Sequence, residues 1–142
     1  MRIREILQTK GSEVVVIAPD ASVRELVAVL TEHNLGAVIV STDGIAMAGI
    51  VSERDIVRRL AADDDALEST VADVMTQVVH TCRPTDSVES LMTTMTDHRI
   101  RHLPVLDAEE RLCGIVSIGD VVKSTITQLQ FERDQLQDYV RS

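Results

Sequence analysis

Residues 49–55 read Gly-Ile-Val-Ser-Glu-Arg-Asp, and residues 114–120 read Gly-Ile-Val-Ser-Ile-Gly-Asp. The offset of 65 residues between them also aligns the chain upstream, so that 13 of the 39 positions from 19 to 57 are identical to positions 84–122. Average composition would give about two or three identities by chance. A repeat at one fixed offset indicates a tandem duplication, so the chain contains two copies of one structural unit.

Each copy predicts a strand, a helix, two strands and a second helix, in that order. In the first copy, the β-branched run 14–18 predicts a short strand that ends at Pro19. Ser22, with Glu25 three residues later, is a capping-box pattern, and apolar residues at helical spacing follow it. Two strands joined through a turn and a last helix complete each copy, with strands at 37–40 and 47–51, then 103–106 and 112–116, and helices after Ser52 and Ser117.

The duplication predicts an α/β (α+β) fold of two β-α-β-β-α units related by a pseudo-twofold axis. One copy of about 65 residues buries too little apolar surface to be stable alone, so the two copies should pack together. We expect residues 1–66 to form the first unit with the start of an acidic linker, 67–126 the second, and 127–142 a C-terminal helix. An axis of this kind creates two related clefts between the copies, where a ligand could bind.

Charge and composition exclude several classes of partner. The net charge of −9 repels polyanions, so neither nucleic acid nor an anionic membrane is expected. One Phe, one Tyr and no Trp leave no stacking platform for single-stranded nucleic acid. The longest apolar run, Val14–Ala18, is far shorter than the ~20 residues of a membrane span. Two cysteines and an N-terminus without a secretory pattern predict a cytoplasmic protein.

The repeated Ser-x-x-Asp pattern has two interpretations. A strand that delivers Ser52 or Ser117 to the first turn of a helix presents N–H groups and the positive end of the helix dipole, which suit a phosphate. The carboxylate one turn further, Asp55 or Asp120, could accept hydrogen bonds from both hydroxyls of a ribose. The same pattern is also an ordinary helix cap. The sequence leaves both interpretations open.

A cationic cluster, His98-Arg99-Ile100-Arg101-His102, precedes the strand at 103–106. Its arginines could pair with phosphates through two-point contacts, or the cluster could simply complement the dipole at a helix C-terminus. Arg101 and His102 have no charged counterparts in the first copy, so the dipole alone does not explain them. Further cations weighed as phosphate ligands are Lys10, Arg54, Arg58 and Lys123.

Metal and catalytic sites are not indicated. The spacing of the cysteines and histidines, Cys82, Cys113, His80 and His102, is not that of a metal site. The run Asp63-Asp64-Asp65 fits a solvated face. No Ser/His/Asp or Cys/His arrangement and no Gly-rich phosphate loop is present, so we expect a non-catalytic protein without a metal or catalytic cofactor.

Taken together, the duplicated features resemble the CBS (cystathionine-beta-synthase) domain family. They are a Pro before a Ser-capped helix, His-Arg-Ile-Arg-His-Leu-Pro-Val at 98–105, and Gly-Ile-Val-Ser-x-x-Asp twice, and they cover about residues 3 to 126. More narrowly, the pattern is similar to small bacterial proteins that consist of one CBS pair, known as a stand-alone Bateman module. The resemblance implies two clefts that bind AMP, ADP, ATP or NAD.

The resemblance also implies roles for individual residues. Asp55 and Asp120 would each hold a ribose, and Ser52 and Ser117 would lie near phosphates. The segment before each Pro would line the adenine, at Val16 and Thr81; Val16 departs from the common Thr, so the two clefts should differ. The complete set of candidate nucleotide-binding residues is Val16, Ser52, Arg54, Asp55, Thr81, Arg99, Arg101, His102, Ser117, Gly119 and Asp120.

Two functions are compatible with these features. One is a regulatory module that senses an adenine nucleotide and acts on an unidentified partner protein; the other is a structural dimerisation unit whose Ser/Asp pairs are only caps. A homodimer is expected, because the tail has apolar residues at helical spacing and an isolated helix is marginal in water. Packing of the tail onto its own body is the alternative. The tail residues are Ile126, Leu129, Arg133, Leu136 and Val140, with Phe131 and Tyr139 as the aromatic rings.

Overall fold

The structure of the chain, a computed structural model, describes residues 1–77 and 79–141. Within that part the helices are α1 (Ile3–Lys10), α2 (Val23–His33), α3 (Glu53–Ala62), α4 (Val71–Val74), α5 (Val88–His98) and α6 (Ile118–Arg141). The strands are β1 (Val16–Ile17), β2 (Ala37–Val40), β3 (Gly49–Ser52), β4 (His102–Leu106) and β5 (Leu112–Ser117), and a 3₁₀ helix spans Ala66–Glu68. The α/β class and the duplicated architecture predicted from the sequence are confirmed.

The two copies differ in the strand that opens each of them. In the first copy β1 pairs in parallel with β2, which pairs antiparallel with β3. In the second copy β4 and β5 are antiparallel, and the opening strand is reduced to one parallel bridge between Cys82 and Val105. β1 has two residues where the sequence predicted five. It lies at the edge of its sheet and pairs only with β2, so little backbone pairing holds it extended.

Two short helices that the sequence analysis did not predict, α1 and α4, occupy equivalent places. The Arg2 N–H donates to Glu5 Oε1 at 3.0 Å, and the Thr70 N–H donates to Asp73 Oδ2 at 3.3 Å, so each helix begins with the same kind of cap. Backbone bridges join Arg2 to Ser87 and Thr70 to Ser22. Arg2 and Thr70 are therefore equivalent and lie 68 positions apart, whereas their bridge partners Ser22 and Ser87 keep the offset of 65. Three more residues thus separate the start of α1 from Ser22 than separate the start of α4 from Ser87.

The hydrophobic cores exchange these helices between the copies. Ile3 and Ile6 of α1 are buried in the core of the second copy, together with Leu91, Leu103 and Val116. In turn, α4 contributes Val71 to the core of the first copy. The intervals 1–66 and 67–126 therefore do not coincide with the packing units, and as domain limits they stay predictions.

The glycines that open the two repeated stretches allow this close packing. A Cβ atom on Gly49 would lie 2.6 Å from the carbonyl oxygen of Thr76, and one on Gly114 would lie 2.7 Å from Leu7 Cδ2. Both distances are shorter than carbon contacts permit. Glycine at these positions lets the segment that precedes the other copy lie directly against the strand.

The C-terminal tail continues the last helix of the second copy. α6 runs for 24 residues without a break, so the region predicted as a helix at 127–142 is helical to Arg141 but does not begin a new element; Ser142 lies outside the described residues. Val121 is buried, whereas side chains from Ile126 to Arg141 are exposed. No helix in the described ranges has the length and apolar character needed to cross a bilayer.

Candidate functional site

The first Ser-x-x-Asp pattern forms a complete cap at the start of α3. The Ser52 N–H donates to Asp55 Oδ2 at 2.8 Å, and the Asp55 N–H donates to Ser52 Oγ at 3.4 Å. The Ser52 hydroxyl lies 3.1 Å from the same carboxylate oxygen. The cap thus uses one oxygen of Asp55. The other, Oδ1, has no hydrogen-bond partner among the described residues and is available to a ligand.

The second pattern forms the same cap at the start of α6. The Ser117 N–H donates to Asp120 Oδ2 at 2.8 Å, and the Asp120 N–H donates to Ser117 Oγ at 3.2 Å. The interpretation of Ser-x-x-Asp as a helix cap therefore holds in both copies. Because each cap involves a single carboxylate oxygen, it does not by itself prevent the aspartate from binding a ribose.

A cleft of about 370 Å³ opens between the two copies beside the first cap. Its volume lies in the range of small-molecule sites. The first copy contributes the end of β3 and the first turns of α3, and the second copy contributes residues 99–102, which lead into β4. Six of the predicted site residues meet in its walls: Ser52, Arg54, Asp55, Arg99, Arg101 and His102. The cationic cluster of the second copy thus lines the same cleft as Asp55 of the first copy.

A left-handed residue directs the cationic segment into this cleft. Arg99, at the end of α5, has a φ of 54°, and its N–H bonds to the carbonyl oxygens of Met95 and Thr96. Asn34 adopts the same conformation at the end of α2, with a φ of 53°. A non-glycine residue with positive φ is uncommon, and here it ends the helix and turns the chain towards β4.

Four arginines line the cleft: Arg54, Arg58, Arg99 and Arg101. All four are exposed, and none forms an ion pair with a carboxylate in residues 1–77 or 79–141. The N–H groups at the start of α3 are less available, because Glu53 N–H bonds to Gly36 O at 3.0 Å and Asp55 N–H is used in the cap. An anionic group in the cleft would therefore depend mainly on the arginine side chains.

His102 lies where the two copies meet and is half-buried. Burial lowers the pKa of its imidazole below the ordinary value of 6.5; the Lys10 and Arg101 charges act in the same direction, while the Asp120 and Glu53 carboxylates oppose them. The lowered pKa favours the neutral imidazole, so His102 adds less positive charge to the cleft than the arginines do. A Cβ on Gly36 would lie 3.0 Å from Glu53 Oε1 and 3.5 Å from the His102 ring, so the small residue leaves room for both.

The aspartate of the second copy has a different environment. Lys10 Nζ lies 2.6 Å from Asp120 Oδ2 and donates to Ile115 O at 2.9 Å. Burial alone would raise the pKa of the Asp120 carboxyl, but the hydrogen bonds from Lys10 and from the Ser117 N–H outweigh it and hold the pKa below its ordinary value. Asp120 and Ser117 do not line the cleft described above.

The remaining predicted residues also lie outside that cleft. Val16 is half-buried in β1 opposite Ile39, Thr81 is exposed beside the bridge at Cys82, and Gly119 is exposed in the first turn of α6. The adenine-lining role of Val16 and Thr81 stays a prediction.

Several residues that the sequence analysis had not selected do line the cleft, among them Gly36, Ile50, Thr76, Val79 and His80. The ring of His80 stacks on that of His98, with the ring centroids 3.9 Å apart. The sequence contained one indication that this side of the cleft contributes to a site, namely that His80 is adjacent to the predicted site residue Thr81.

Comparison with known proteins places these features in a family. A model described as CBS domain matches residues 3–62 and 71–126. The chain is similar to the CBS domain-containing protein CBSX3, mitochondrial, of Arabidopsis thaliana, with 34% identity over 98% of this chain and 71% of that protein. It is also similar to a solved CBS-domain containing protein, ATU1752 from Agrobacterium tumefaciens, with a TM-score of 0.84 and 38% identity over 88% of this chain and 99% of that one.

A more distant structure shares the fold alone. CBSX2, solved in complex with AMP, has a TM-score of 0.75 and 23% identity, over 89% of this chain and 96% of that one.

Proposed function

Because the chain belongs to the CBS-domain family, we propose that it is a regulatory module that binds an adenine nucleotide between its two CBS domains and catalyses no reaction itself. One observation carries the proposal. Asp55 keeps an unpartnered carboxylate oxygen in the wall of a cleft that is lined by four arginines without carboxylate partners among the described residues. In a protein of net charge −9, such a concentration of free cations is suited to a small anionic ligand.

The nucleotide would use the two ends of the cleft differently. The ribose hydroxyls would donate to Asp55 Oδ1, while Oδ2 stays in the cap with Ser52. The phosphates would lie among the arginines, whose planar groups bind phosphate oxygens in pairs. AMP is the ligand in the CBSX2 structure. The same adenosine-and-phosphate chemistry is what we propose for this cleft.

The charge of the cleft favours a ligand with more than one phosphate. The cleft is lined by four arginines and two carboxylates, Glu53 and Asp55, and Asp55 would be engaged by the ribose, so several arginines remain for the phosphates. A second and third phosphate would contact arginines that a single phosphate of charge about −2 leaves unpaired. Among AMP, ADP, ATP and NAD we therefore propose that ATP or ADP binds more tightly than AMP. The preference should weaken as added salt screens the exposed arginines.

Association with a second copy of the chain is a further part of the proposal. Val57 and Leu60 of α3 are 63% and 46% exposed, and Ile126 and Leu129 of α6 are 50% and 59% exposed. Such apolar side chains on two helices favour a homodimer, in which nucleotide binding could act on a regulated partner protein in the cytoplasm. They also support the second candidate function, a structural dimerisation unit that has no physiological nucleotide.

A thermal unfolding panel separates the two functions. A ligand that binds only the folded chain adds ~2.7 kcal/mol at one hundred times its dissociation constant, which raises Tm by several degrees. We expect ATP, ADP, AMP and NAD to raise Tm, and guanosine or inorganic phosphate alone to have little effect. Unchanged Tm with every adenine nucleotide at millimolar concentration would favour the structural function.

A further inference from the structure

Lys10 forms an ion pair with Asp120, the second copy's counterpart of Asp55. It is the last residue of α1, and its ammonium contacts a carboxylate and a carbonyl group more than a hundred residues away: Asp120 Oδ2 at 2.6 Å and Ile115 O at 2.9 Å. The side chains of Lys10 and Asp120 are 33% and 22% exposed, so the pair is partly shielded from water. An ion pair in such a position is stronger than one on the open surface.

Among the described residues, none supplies such a cation at the equivalent place in the first copy. There the Thr76 backbone N–H donates to Ile50 O at 2.8 Å, and Ile50 is the counterpart of Ile115. The ammonium of Lys10 thus replaces a backbone donor. The cause is the greater length of α1, which has eight residues where α4 has four: α4 ends at Val74, whereas α1 continues to Lys10 and carries its side chain onto the carboxylate.

Asp55 and Asp120 consequently differ in whether a cation already pairs with the carboxylate that a ribose would bind. No described cation lies within ion-pair distance of Asp55, and a ribose hydroxyl can donate to its free oxygen. At Asp120 the cap and Lys10 both use Oδ2, and no described residue bonds to Oδ1, so the difference lies in charge. A ribose hydroxyl there would meet a carboxylate whose charge the ammonium already offsets through a charge-assisted hydrogen bond, which is about twice as strong as a neutral one.

We propose that Lys10 closes the second cleft, so that the folded chain takes one nucleotide at Asp55 and none at Asp120 until Lys10 withdraws. This inference rests on the proposed function, because Asp120 matters only if the clefts bind nucleotides. It makes α1 an autoinhibitory element: a change that pulls the end of α1 away from Asp120 opens a second site.

Calorimetric titration with AMP tests this inference. We expect the wild-type chain to bind one AMP, and Lys10→Met to bind a second, about tenfold to a hundredfold more tightly than any residual binding at that site in the wild type. Adding Asp120→Asn to Lys10→Met should remove the second AMP. Arg4→Met, which removes a cation from the same helix without touching Asp120, should stay at one.

Two results would overturn the closure. One is a wild type that binds two AMP molecules with similar affinity; the other is a Lys10→Met variant that still binds one, or binds more weakly, as it would if Lys10 were a phosphate ligand. Carboxyl-detected NMR supplies a readout without nucleotide: the pKa of Asp120 should rise in Lys10→Met and not in Arg4→Met. If the wild type binds neither AMP nor ATP, the proposed function fails, and equal Asp120 pKa values in wild type and Lys10→Met would refute the Lys10 contact independently.

Discussion

At the scale of single residues, the two aspartates show how one motif serves both structure and binding. Asp55 and Asp120 each cap a helix through Oδ2, as the sequence pattern allowed, and the cap leaves Oδ1 unused. The capping and ribose-binding interpretations are therefore not exclusive. The two aspartates differ in one contact: Lys10, which is remote in sequence, forms an ion pair with Asp120 and not with Asp55.

His102 should make the stability of the chain depend on pH. Burial favours the neutral imidazole in the folded state, so the unfolded chain takes up a proton near pH 6.5 before the folded chain does. The contribution is complete above that pH and is lost as pH falls towards the lower pKa of the folded state. Urea unfolding between about pH 7.5 and 5.5 should show a decline in unfolding free energy that is flatter in His102→Gln.

The matched control for this experiment is His33→Gln, which alters an exposed histidine at the end of α2. It should keep the slope of the wild type. A slope that is the same in wild type and His102→Gln would show that His102 is not protected from protonation in the folded chain.

At the scale of elements, the sequence predicted the parts whose signal is local. The capped helices α2 and α5 agree with their predicted starts, because Ser22 Oγ and Ser87 Oγ each accept a backbone N–H three residues on. α1 and α4 were missed. Both are short, and their buried residues become recognisable as a face only once it is known that they pack on the opposite copy.

The candidate site was predictable in its residues but not in their grouping. The sequence identified Asp55 and Arg101 as candidates but did not indicate that they line the same cleft. The cluster lines the cleft with Asp55 because the two copies pack across the pseudo-twofold axis. Such a pairing depends on tertiary contacts, which have no signature in either copy alone.

The segment from Arg99 to His102 should discriminate ligands by their phosphates. Arg101→Ala removes a cation from the cleft, and we expect ATP to bind about tenfold more weakly, AMP to lose less, and adenosine to be nearly unaffected. Titrations with these three ligands at low and high salt measure the effect, and Arg4→Ala serves as a control with the same loss of charge. Equal weakening for adenosine and ATP would argue against a phosphate contact.

At the scale of the whole molecule, the acidic chain folds around two hydrophobic cores, and each core contains the short helix that precedes the other copy. The core of the first copy lies between Ile17 and Val71 and includes α4, whereas the core of the second copy combines Ile3 and Ile6 of α1 with residues 82–121, on the far side of the first copy in sequence. The chain should therefore unfold as one cooperative unit despite its duplication.

The exposed helix α6 should determine the oligomeric state. Its apolar residues beyond Thr125 are exposed in the single chain, so we expect light scattering to show a dimer at micromolar concentration. Truncation after Thr125 should shift the mass towards the monomer while leaving the circular dichroism of the remaining chain folded. A full-length chain that scatters as a monomer would contradict the homodimer.

The binding of a nucleotide at Asp55 is tested most directly by calorimetric titration of ATP into wild type, Asp55→Ala and Asp73→Ala. Asp73 caps α4 in the same way but lies away from the cleft, so its loss should cost about 0.3–1 kcal/mol of stability and leave affinity unchanged. We predict one ATP bound per wild-type chain and about a hundredfold weaker binding in Asp55→Ala. Absence of heat in the wild type, or equal affinity in all three proteins, would contradict the account.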